Sequence, residues 1–334
     1  MNRWQAMVRA REAKASIVNR LGLTRLWTLR EVCRIVGAEY PAYGNLSPDR
    51  KFSMICCFDD GYISDSLFVH YERDPSDVAK AAMDRGSVAL LCAEQIDEYP
   101  CIIVPDVLTA LQQLCRAMYD EIRIPATVVT GSVGKTSTKN FLNCVYSSQF
   151  RTFCNLTNGN TLEYLGFSLQ RFDRKAKLFI QEVNESDPKN ASNCSKALHP
   201  HIALITNMDR SHIGELGSEE NIMQAISEIT DGMGPDDYVI LNADDRNSAK
   251  VSFSQKVIRV GIHASDADCV AKNIRSSGGR QEFDLFYNGE QAHVALDVLG
   301  EHNIYNACMS FVAGKLNGIT TENILRGMKA YRPL

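Results

Sequence analysis

A short glycine loop between an extended run and a helix-forming run is the feature that most limits how this chain can fold. Ala126 to Thr130 (ATVVT) is rich in β-branched residues and predicts a strand. Thr136 to Ser147 predicts a helix, and the loop GSVGKTS joins the two runs. In such a strand–loop–helix unit, backbone N–H groups and the helix N-terminus face an anion. The sequence therefore predicts a phosphate-binding turn.

Each residue type in this loop suits contact with a nucleotide. Gly131 and Gly134 let the backbone bend closely around phosphate oxygens, the ammonium group of Lys135 can reach the terminal phosphates, and the Thr136 hydroxyl can bind Mg²⁺. The common phosphate loop has one more glycine at the position of Val129, so this is a shorter form. The loop predicts a nucleotide and Mg²⁺ as its ligands. The predicted nucleotide contacts in the loop are Gly131, Ser132, Gly134, Lys135, Thr136 and Ser137.

Predicted strands and helices alternate after the loop. Apolar runs predict three further strands, at Leu178 to Val183, Ile202 to Thr206 and Tyr238 to Asn242. Helical stretches such as Asn221 to Gly232 lie between them. The fold class is therefore α/β, with a mostly parallel, doubly wound sheet that binds its ligand at the carboxyl ends of the strands.

The segment before Ile124-Pro125 has its own alternation of strands and helices and predicts a separate, small α/β domain. Its predicted strands include Ser66 to His70 and Ser87 to Cys92, with a helix from Asp77 to Arg85 between them. The expected domains are a basic helical extension at 1–27, a small α/β domain at 28–122 and the domain of the phosphate loop at 123–334.

Composition excludes several other classes of protein. A net charge of −4 gives no electrostatic reason to expect nucleic acid as a partner. No apolar run approaches the roughly 20 residues that cross a bilayer, so we expect no transmembrane segment. The basic N-terminus lacks the apolar centre of a secretory signal. The 11 cysteines include no Cys-x-x-Cys pair, so zinc-site spacing is absent and reduced thiols in a cytoplasmic protein are expected.

Several segments resemble the Mur ligases, which use ATP to activate a carboxylate as an acyl phosphate and then join it to an amine. The resemblance begins with the loop TGSVGKTSTK. It continues with FIQEV, where Glu182 matches the family's metal-binding Glu, and with HIALITNMDRSHIGELG, where His212 matches its metal-binding His. It implies that Thr136, Glu182 and His212 bind Mg²⁺, and that Lys135, Glu182 and His212 are the catalytic residues.

A third segment, GEHNIYNA, resembles the family's adenine-reading motif. Asn303 and Asn306 match the two Asn residues of that motif. An amide side chain carries both a donor and an acceptor, which suits the amino and ring-nitrogen edge of adenine. The resemblance therefore implies a preference for adenine over guanine nucleotides.

The resemblance is greatest to the branch that adds D-alanyl-D-alanine to a muropeptide. It covers about residues 28–334, strongly from Pro125 onward and weakly before. The segments that carry it are GKTSTK (including Lys139), LNADD (Leu241 to Asp245) and, in the first domain, SLFVHYERDPSDVAKAAMDRGSVALLC. It implies that the domain at 28–122 binds substrate and that the domain at 123–334 binds ATP with Mg²⁺. The implied substrates are small molecules, a muropeptide and an amino acid or dipeptide, in the synthesis of peptidoglycan precursors.

Three departures from the family pattern are visible. Ungapped alignment from His212 places Ile226 where many members carry a carbamylated Lys, and Glu228 is the nearest carboxylate. The first domain lacks the family's segments around the uridine nucleotide. The sequence ends at Leu334, where the family continues into a third domain, so we expect a truncated or divergent form whose chain alone shows at most slow ATP hydrolysis.

Two hypotheses of different classes follow. The first is an ATP-dependent amide-bond ligase; the second is a catalytically silent ATP-binding relative that acts as a partner or regulator. The first hypothesis is favoured by the family residues that the sequence retains, which are Lys135, Thr136, Glu182 and His212. The second is favoured by Ile226, which stands where many family members have a Lys. A kinase or GTPase of the general phosphate-loop kind is weaker, because no Asn-Lys-x-Asp motif is present.

Overall fold

Two separate sheets organise the part of the chain that the computed structural model describes, which is residues 25–58, 64–72, 74–155, 159–187, 189–208 and 217–333. The first compact unit holds the described residues up to Glu121 together with Leu162–Phe172. The second holds Ile122–Thr161 and the described residues from Asp173 onward. The N-terminal extension predicted for residues 1–27 lies almost entirely outside the described residues.

The first unit is built on a four-stranded parallel sheet and a short antiparallel ribbon. The ribbon strands are β1 (Trp27–Thr28) and β2 (Lys51–Phe52), and the sheet strands, in spatial order, are β3 (Met54–Cys56), β4 (Ser66–Val69), β5 (Ala89–Cys92) and β6 (Cys101–Ile103). Its first three helices are α1 (Leu29–Val36), α2 (Ser76–Asp84) and α3 (Val107–Ile122). Thr28 caps the amino end of α1, because its Oγ1 accepts from the Glu31 N–H at 3.2 Å.

The second unit is built on a nine-stranded sheet. Its strands are β7 (Ala126–Thr130), β8 (Thr152–Cys154), β9 (Leu178–Glu182), β10 (Ile202–Ile205), β11 (Tyr238–Asn242), β12 (Lys256–Gly261), β13 (Cys269–Ser277), β14 (Arg280–Tyr287) and β15 (Glu290–Leu296). Their spatial order is β8-β9-β7-β10-β11-β12-β13-β14-β15. The strands from β8 to β13 are parallel, and β14 and β15 complete the sheet as antiparallel strands.

Six further helices are described in the chain from residue 122 onward. They are α4 (Lys135–Ser147), α5 (Leu162–Gln170), α6 (Asn190–Leu198), α7 (Glu219–Ser227), α8 (Glu301–Leu316) and α9 (Thr321–Ala330). The helix predicted to run to Gly232 ends as α7 at Ser227, and a 3₁₀ turn (Glu228–Thr230) follows it. In the described segments, no helix combines the length and apolar character that crossing a membrane requires.

Burial explains why the central strands form where the apolar runs predicted them. All five residues of β7 and all five of β9 are buried, as expected for parallel strands covered on both faces. Strand β14 instead alternates buried and more exposed residues after its first position, which fits an antiparallel strand with one covered face. The α/β class and the mostly parallel, doubly wound sheet are confirmed.

Helix α5 lies between β8 and β9 in sequence but groups with the first unit. The Gln170 side chain makes two hydrogen bonds with the backbone of Ile55 in β3: its Oε1 accepts at 2.7 Å and its Nε2 donates at 3.0 Å. These bonds satisfy backbone groups on a terminal strand of that sheet. The domain boundary predicted at residue 123 assigned Leu162–Phe172 to the second domain, whereas this segment groups with the first unit.

Candidate nucleotide-binding site

The glycine loop lies at the carboxyl end of β7, between the ends of two neighbouring strands. Strand β9 pairs with one side of β7 and β10 with the other, so the chain changes direction across the sheet here. This topological switch point is where open α/β sheets bind ligands. The loop faces solvent on its outer side, where Val133 is 54% exposed.

Contacts with the end of β10 determine the shape of the loop. The Val133 N–H donates to Asn207 Oδ1 at 2.9 Å, and the Ser132 N–H donates to the Asn207 carbonyl at 3.1 Å. Thr206 Oγ1 donates to the Val133 carbonyl at 2.7 Å. Two of the loop N–H groups therefore bind protein here, and the first turn of α4 supplies the N–H groups that lack intrahelical partners.

Gly131 is needed because the loop passes very close to this strand end. Its φ of +125° is a conformation that favours glycine, and a Cβ at this position would lie 2.3 Å from Thr206 Oγ1 and 2.8 Å from the Asn207 carbonyl oxygen. Gly134 differs: its φ is +84°, but no atom lies within 4 Å of a Cβ built there. A side chain at residue 131 is therefore excluded by both the positive φ and the nearby strand end, whereas residue 134 favours glycine only because of its positive φ.

We expect Gly131→Ala to lower the free energy of unfolding by about 2–4 kcal/mol, because it adds a steric conflict to a strained backbone. Gly278→Ala is the matched control, since Gly278 also has positive φ (+58°) but has no atom within 4 Å of its built Cβ. Urea unfolding of both variants measures the difference. Equal losses in the two variants would contradict the close-approach explanation.

Lys135 folds back over the loop that precedes it. Its Nζ donates to the Gly131 carbonyl at 2.7 Å and lies 2.9 Å from Oε2 of Glu185. The Glu185 carboxylate is 1% exposed, and it follows the end of β9 by three residues. The lysine that sequence predicts as a phosphate ligand is thus ion-paired with a buried carboxylate.

Glu182 joins the loop helix to the neighbouring strand. Its Oε1 accepts from Thr136 Oγ1 at 3.1 Å and from Asn160 Nδ2 at 3.4 Å, and its Oε2 lies 3.1 Å from Lys139 Nζ. Its own N–H donates to Asn155 Oδ1 at 2.9 Å. The structure therefore brings together Thr136 and Glu182, which were predicted as metal ligands from positions 46 residues apart.

The oxygen atoms at this point suit Mg²⁺, which prefers hard oxygen ligands. The Glu182 Oε2 atom is buried and has an ion-pair contact with Lys139 but no hydrogen-bond partner. Among the described residues, no group of three or more His, Cys, Asp or Glu side chains is arranged to hold a metal ion. His212, the third predicted ligand, lies outside the described residues.

The two Asn residues of the predicted adenine motif are buried in α8. Asn306 Oδ1 accepts from Thr138 Oγ1 at 2.7 Å, which links α8 to the loop helix α4. Asn303 Nδ2 donates to the Leu299 carbonyl at 2.9 Å. Both amides thus have intramolecular partners in this structure, and their contact with adenine stays a prediction.

Two further side chains near the loop have shifted pKa values. Burial raises the pKa of the Cys154 thiol to about 12, so this cysteine is a neutral neighbour of Lys139 and Glu182. Burial also raises the pKa of Tyr331, partly offset by its hydrogen bond with Ser137. Ser137 therefore contacts the C-terminal end of the described chain.

The structure places Ile226 in the hydrophobic core. Its side chain is 0% exposed in α7. Glu228, the nearest carboxylate in sequence, has its pKa raised by burial and by Asp231, with Lys196 as an opposing charge. These neighbours lie outside the phosphate loop, so no described contact connects Glu228 with it.

Glu185 was missed as a functional candidate, and no role was assigned to Asn207. Glu185 follows the carboxyl end of β9 and Asn207 that of β10, so position after a predicted parallel strand was a usable signal for both. The sequence did not show that these two strands flank β7. That adjacency is what brings both residues to the loop.

Comparisons with known proteins agree with this architecture. The profile of the Mur ligase middle domain matches residues 129–314, more than half of the chain. The UDP-N-acetylmuramoyl-tripeptide–D-alanyl-D-alanine ligase of Bacillus subtilis is 29% identical over 266 residues, which are 78% of this chain and 57% of that protein. The enzyme of the same name from Escherichia coli is 27% identical over 259 residues, 76% of this chain and 57% of that protein. The chain thus spans less than two thirds of these relatives.

Solved structures share the fold. MurF from Acinetobacter baumannii superposes with a TM-score of 0.81 at 21% identity, covering 93% of this chain and 69% of that one. The MurF ligase of Thermotoga maritima, solved in complex with ADP, superposes with a TM-score of 0.73 at 20% identity, covering 84% of this chain and 66% of that one.

Proposed function

We propose, from the premise that this chain belongs to the Mur ligase family, that it binds ATP at the Gly131–Ser137 loop and uses it to activate a carboxylate for amide-bond formation. The observation that carries the proposal is the contact of Thr136 Oγ1 with Glu182 Oε1, next to a loop whose carbonyl at Gly131 accepts from the Lys135 ammonium group. A lysine, a hydroxyl and a carboxylate at the carboxyl end of β7 support phosphoryl transfer, which uses these groups.

Each residue would have a distinct task. N–H groups in the first turn of α4 would bind phosphate oxygens, and Lys135 would offset the negative charge on the terminal phosphate. Thr136 and Glu182, with His212 by resemblance, would hold Mg²⁺. When bound, Mg²⁺ supplies positive charge where the transferred phosphate gathers negative charge. The protein groups fix the geometry, so that the substrate carboxylate can be held in line with the terminal phosphate.

The substrates are proposed from the names of the relatives. Those proteins are named for joining D-alanyl-D-alanine to a UDP-N-acetylmuramoyl-tripeptide. We propose a muropeptide carboxylate and an amino acid or dipeptide as the pair for this chain, within peptidoglycan precursor synthesis. A cytoplasmic location is proposed on the same basis, and the 11 cysteines, all free thiols, are compatible with it.

One observation favours the second candidate, a silent ATP-binding relative that serves as a partner or regulator. Ile226, which ungapped alignment from His212 matches to the family's carbamylated Lys, is fully buried. An apolar side chain in the core can contribute neither charge nor a ligand to the site. The two candidates share ATP binding and differ in whether a carboxylate is phosphorylated.

A hydroxylamine trap separates the two candidates. Incubated with Mg-ATP, UDP-N-acetylmuramoyl-tripeptide and hydroxylamine, the chain should release ADP and form a peptidyl hydroxamate, because hydroxylamine captures an acyl phosphate. Mass spectrometry detects the hydroxamate. Lys135→Ala should form none, since it lacks the ammonium group at the terminal phosphate. ATP binding without hydroxamate from this substrate or from muropeptides that lack the uridine nucleotide would reject the muropeptide ligase and favour the silent relative.

A further inference from the structure

Two buried ion pairs balance the charges beside the phosphate loop. Glu185 Oε2 and Oε1 lie 2.9 Å and 3.1 Å from Lys135 Nζ, and the two side chains are 1% and 12% exposed, respectively. The second pair joins Lys139 to Glu182 at 3.1 Å, with both side chains 2% exposed. Each ammonium group is thus matched by a carboxylate. Together these four side chains contribute no net positive charge to attract nucleotide phosphates.

The backbone holds Glu185 beside the loop. The Asn184 N–H donates to the Asn160 carbonyl at 2.8 Å, and Asn190 Nδ2 donates to the Asn184 carbonyl at 2.7 Å. Both bonds fix the turn immediately before Glu185. The backbone at Glu185 is therefore held in place when the flexible Lys135 side chain turns toward a phosphate, and the carboxylate stays near the loop.

A fixed carboxylate next to a bound phosphate is unfavourable unless a cation separates them. Two like charges a few ångströms apart in a partly buried site repel by several times the thermal energy, and an intervening divalent cation reverses the sign of that interaction. Glu185 therefore opposes a nucleotide that arrives without metal. It has no such effect on a nucleotide that arrives with Mg²⁺.

We infer that Glu185 makes nucleotide binding at this loop depend on a divalent cation. With the loop empty, it holds Lys135 in an ion pair. With a nucleotide bound, Lys135 would turn to the phosphates, and the positive charge of the cation would offset the Glu185 carboxylate. The inference rests on the proposed function, because it requires a nucleotide at the loop, and it makes Glu185 a positioning residue.

The test is the affinity for a non-hydrolysable ATP analogue, measured by calorimetry in EDTA and in excess Mg²⁺. Glu185→Gln keeps the shape of the side chain and removes its charge. We expect this variant to bind the metal-free analogue at least about tenfold more tightly than the unmodified chain does. The ratio of the affinity in Mg²⁺ to the affinity in EDTA should fall by a similar factor. Glu185→Asp, which keeps the charge, should retain most of the metal dependence.

Asp187→Asn is the matched control. Asp187 lies two residues after Glu185 and is exposed. The variant therefore removes the same charge from a side chain that is not paired with Lys135. It should leave the ratio unchanged. An unchanged ratio in Glu185→Gln, or weaker metal-free binding, would overturn the inference while leaving ATP binding intact. Failure of the unmodified chain to bind the analogue even with Mg²⁺ would overturn the proposed function itself, and the inference with it.

Discussion

Replacing Lys135 by Ala should weaken Mg-ATP binding by at least about 100-fold. The ammonium group is the flexible cation at the loop, and loss of its charge-assisted hydrogen bonds to phosphate removes about 3 kcal/mol. The substitution also removes the ammonium group that pairs with the Glu185 carboxylate, which is 1% exposed. That second effect lowers the stability of the fold rather than the affinity for a nucleotide that carries Mg²⁺. Calorimetric titration with a non-hydrolysable ATP analogue in Mg²⁺ measures the loss.

Two companion variants separate the loss of a phosphate ligand from a loss of folding. Lys177→Ala removes an exposed lysine immediately before the amino end of β9, whereas the loop lies at the carboxyl ends of the strands. This variant should bind the ATP analogue as the unmodified chain does. Lys135→Ala combined with Glu185→Gln also removes the charge of the buried carboxylate that pairs with Lys135, so it should recover stability but not affinity. If Lys135→Ala bound the ATP analogue as tightly as the unmodified chain does, the proposal that ATP binds at this loop would be wrong.

Replacing Lys139 by Met should lower the free energy of unfolding by about 3–5 kcal/mol. Lys139 and Glu182 are each 2% exposed and 3.1 Å apart, so the variant leaves a carboxylate buried without its countercharge. Methionine keeps the length and most of the apolar stem of lysine, which limits the packing change. Chemical denaturation at neutral pH, where the carboxylate is ionised in the unfolded chain, measures the effect.

The double variant Lys139→Met with Glu182→Gln is the decisive comparison. It removes both charges, while the amide oxygen introduced by Glu182→Gln can still accept from Thr136, so much of the stability should return. Lys256→Met is the surface control, because its pair with Asp236 is at 2.9 Å but the side chains are 51% and 91% exposed. It should change stability little, since water screens such pairs. A Lys139→Met variant as stable as this control would show that the buried pair does not stabilise the fold.

The adenine motif shows why a matching pattern does not reveal what its residues contact. GEHNIYNA lies at the start of α8, with Gly300 immediately before the helix. The pattern could not show that Asn306 Oδ1 would accept from Thr138, 168 residues earlier in the chain. A buried amide binds whichever partner the neighbouring element supplies, because leaving it without one costs free energy.

The sequence by itself determined the class of the second unit, the position of its phosphate loop and its family. These depend on local order: β7, the loop and α4 follow one another within about twenty residues, and burial on both faces makes the parallel strands continuous apolar runs. Strand β13 was not predicted, because its second half is largely exposed and carries no apolar pattern.

Tertiary structure alone decided which side chains meet at the loop. The chain forms β8 directly after α4, yet β9 and β10 are the strands that flank β7. That order brings Glu182 to Thr136, Asn207 to the loop backbone and Glu185 to Lys135, across 50 residues in the last case. Hydrophobic periodicity shows that a strand exists and which faces are buried, but not which strand lies beside it. Strand order follows from how the helices pack on the whole sheet, and so the charges at the end of β7 could be paired only in three dimensions.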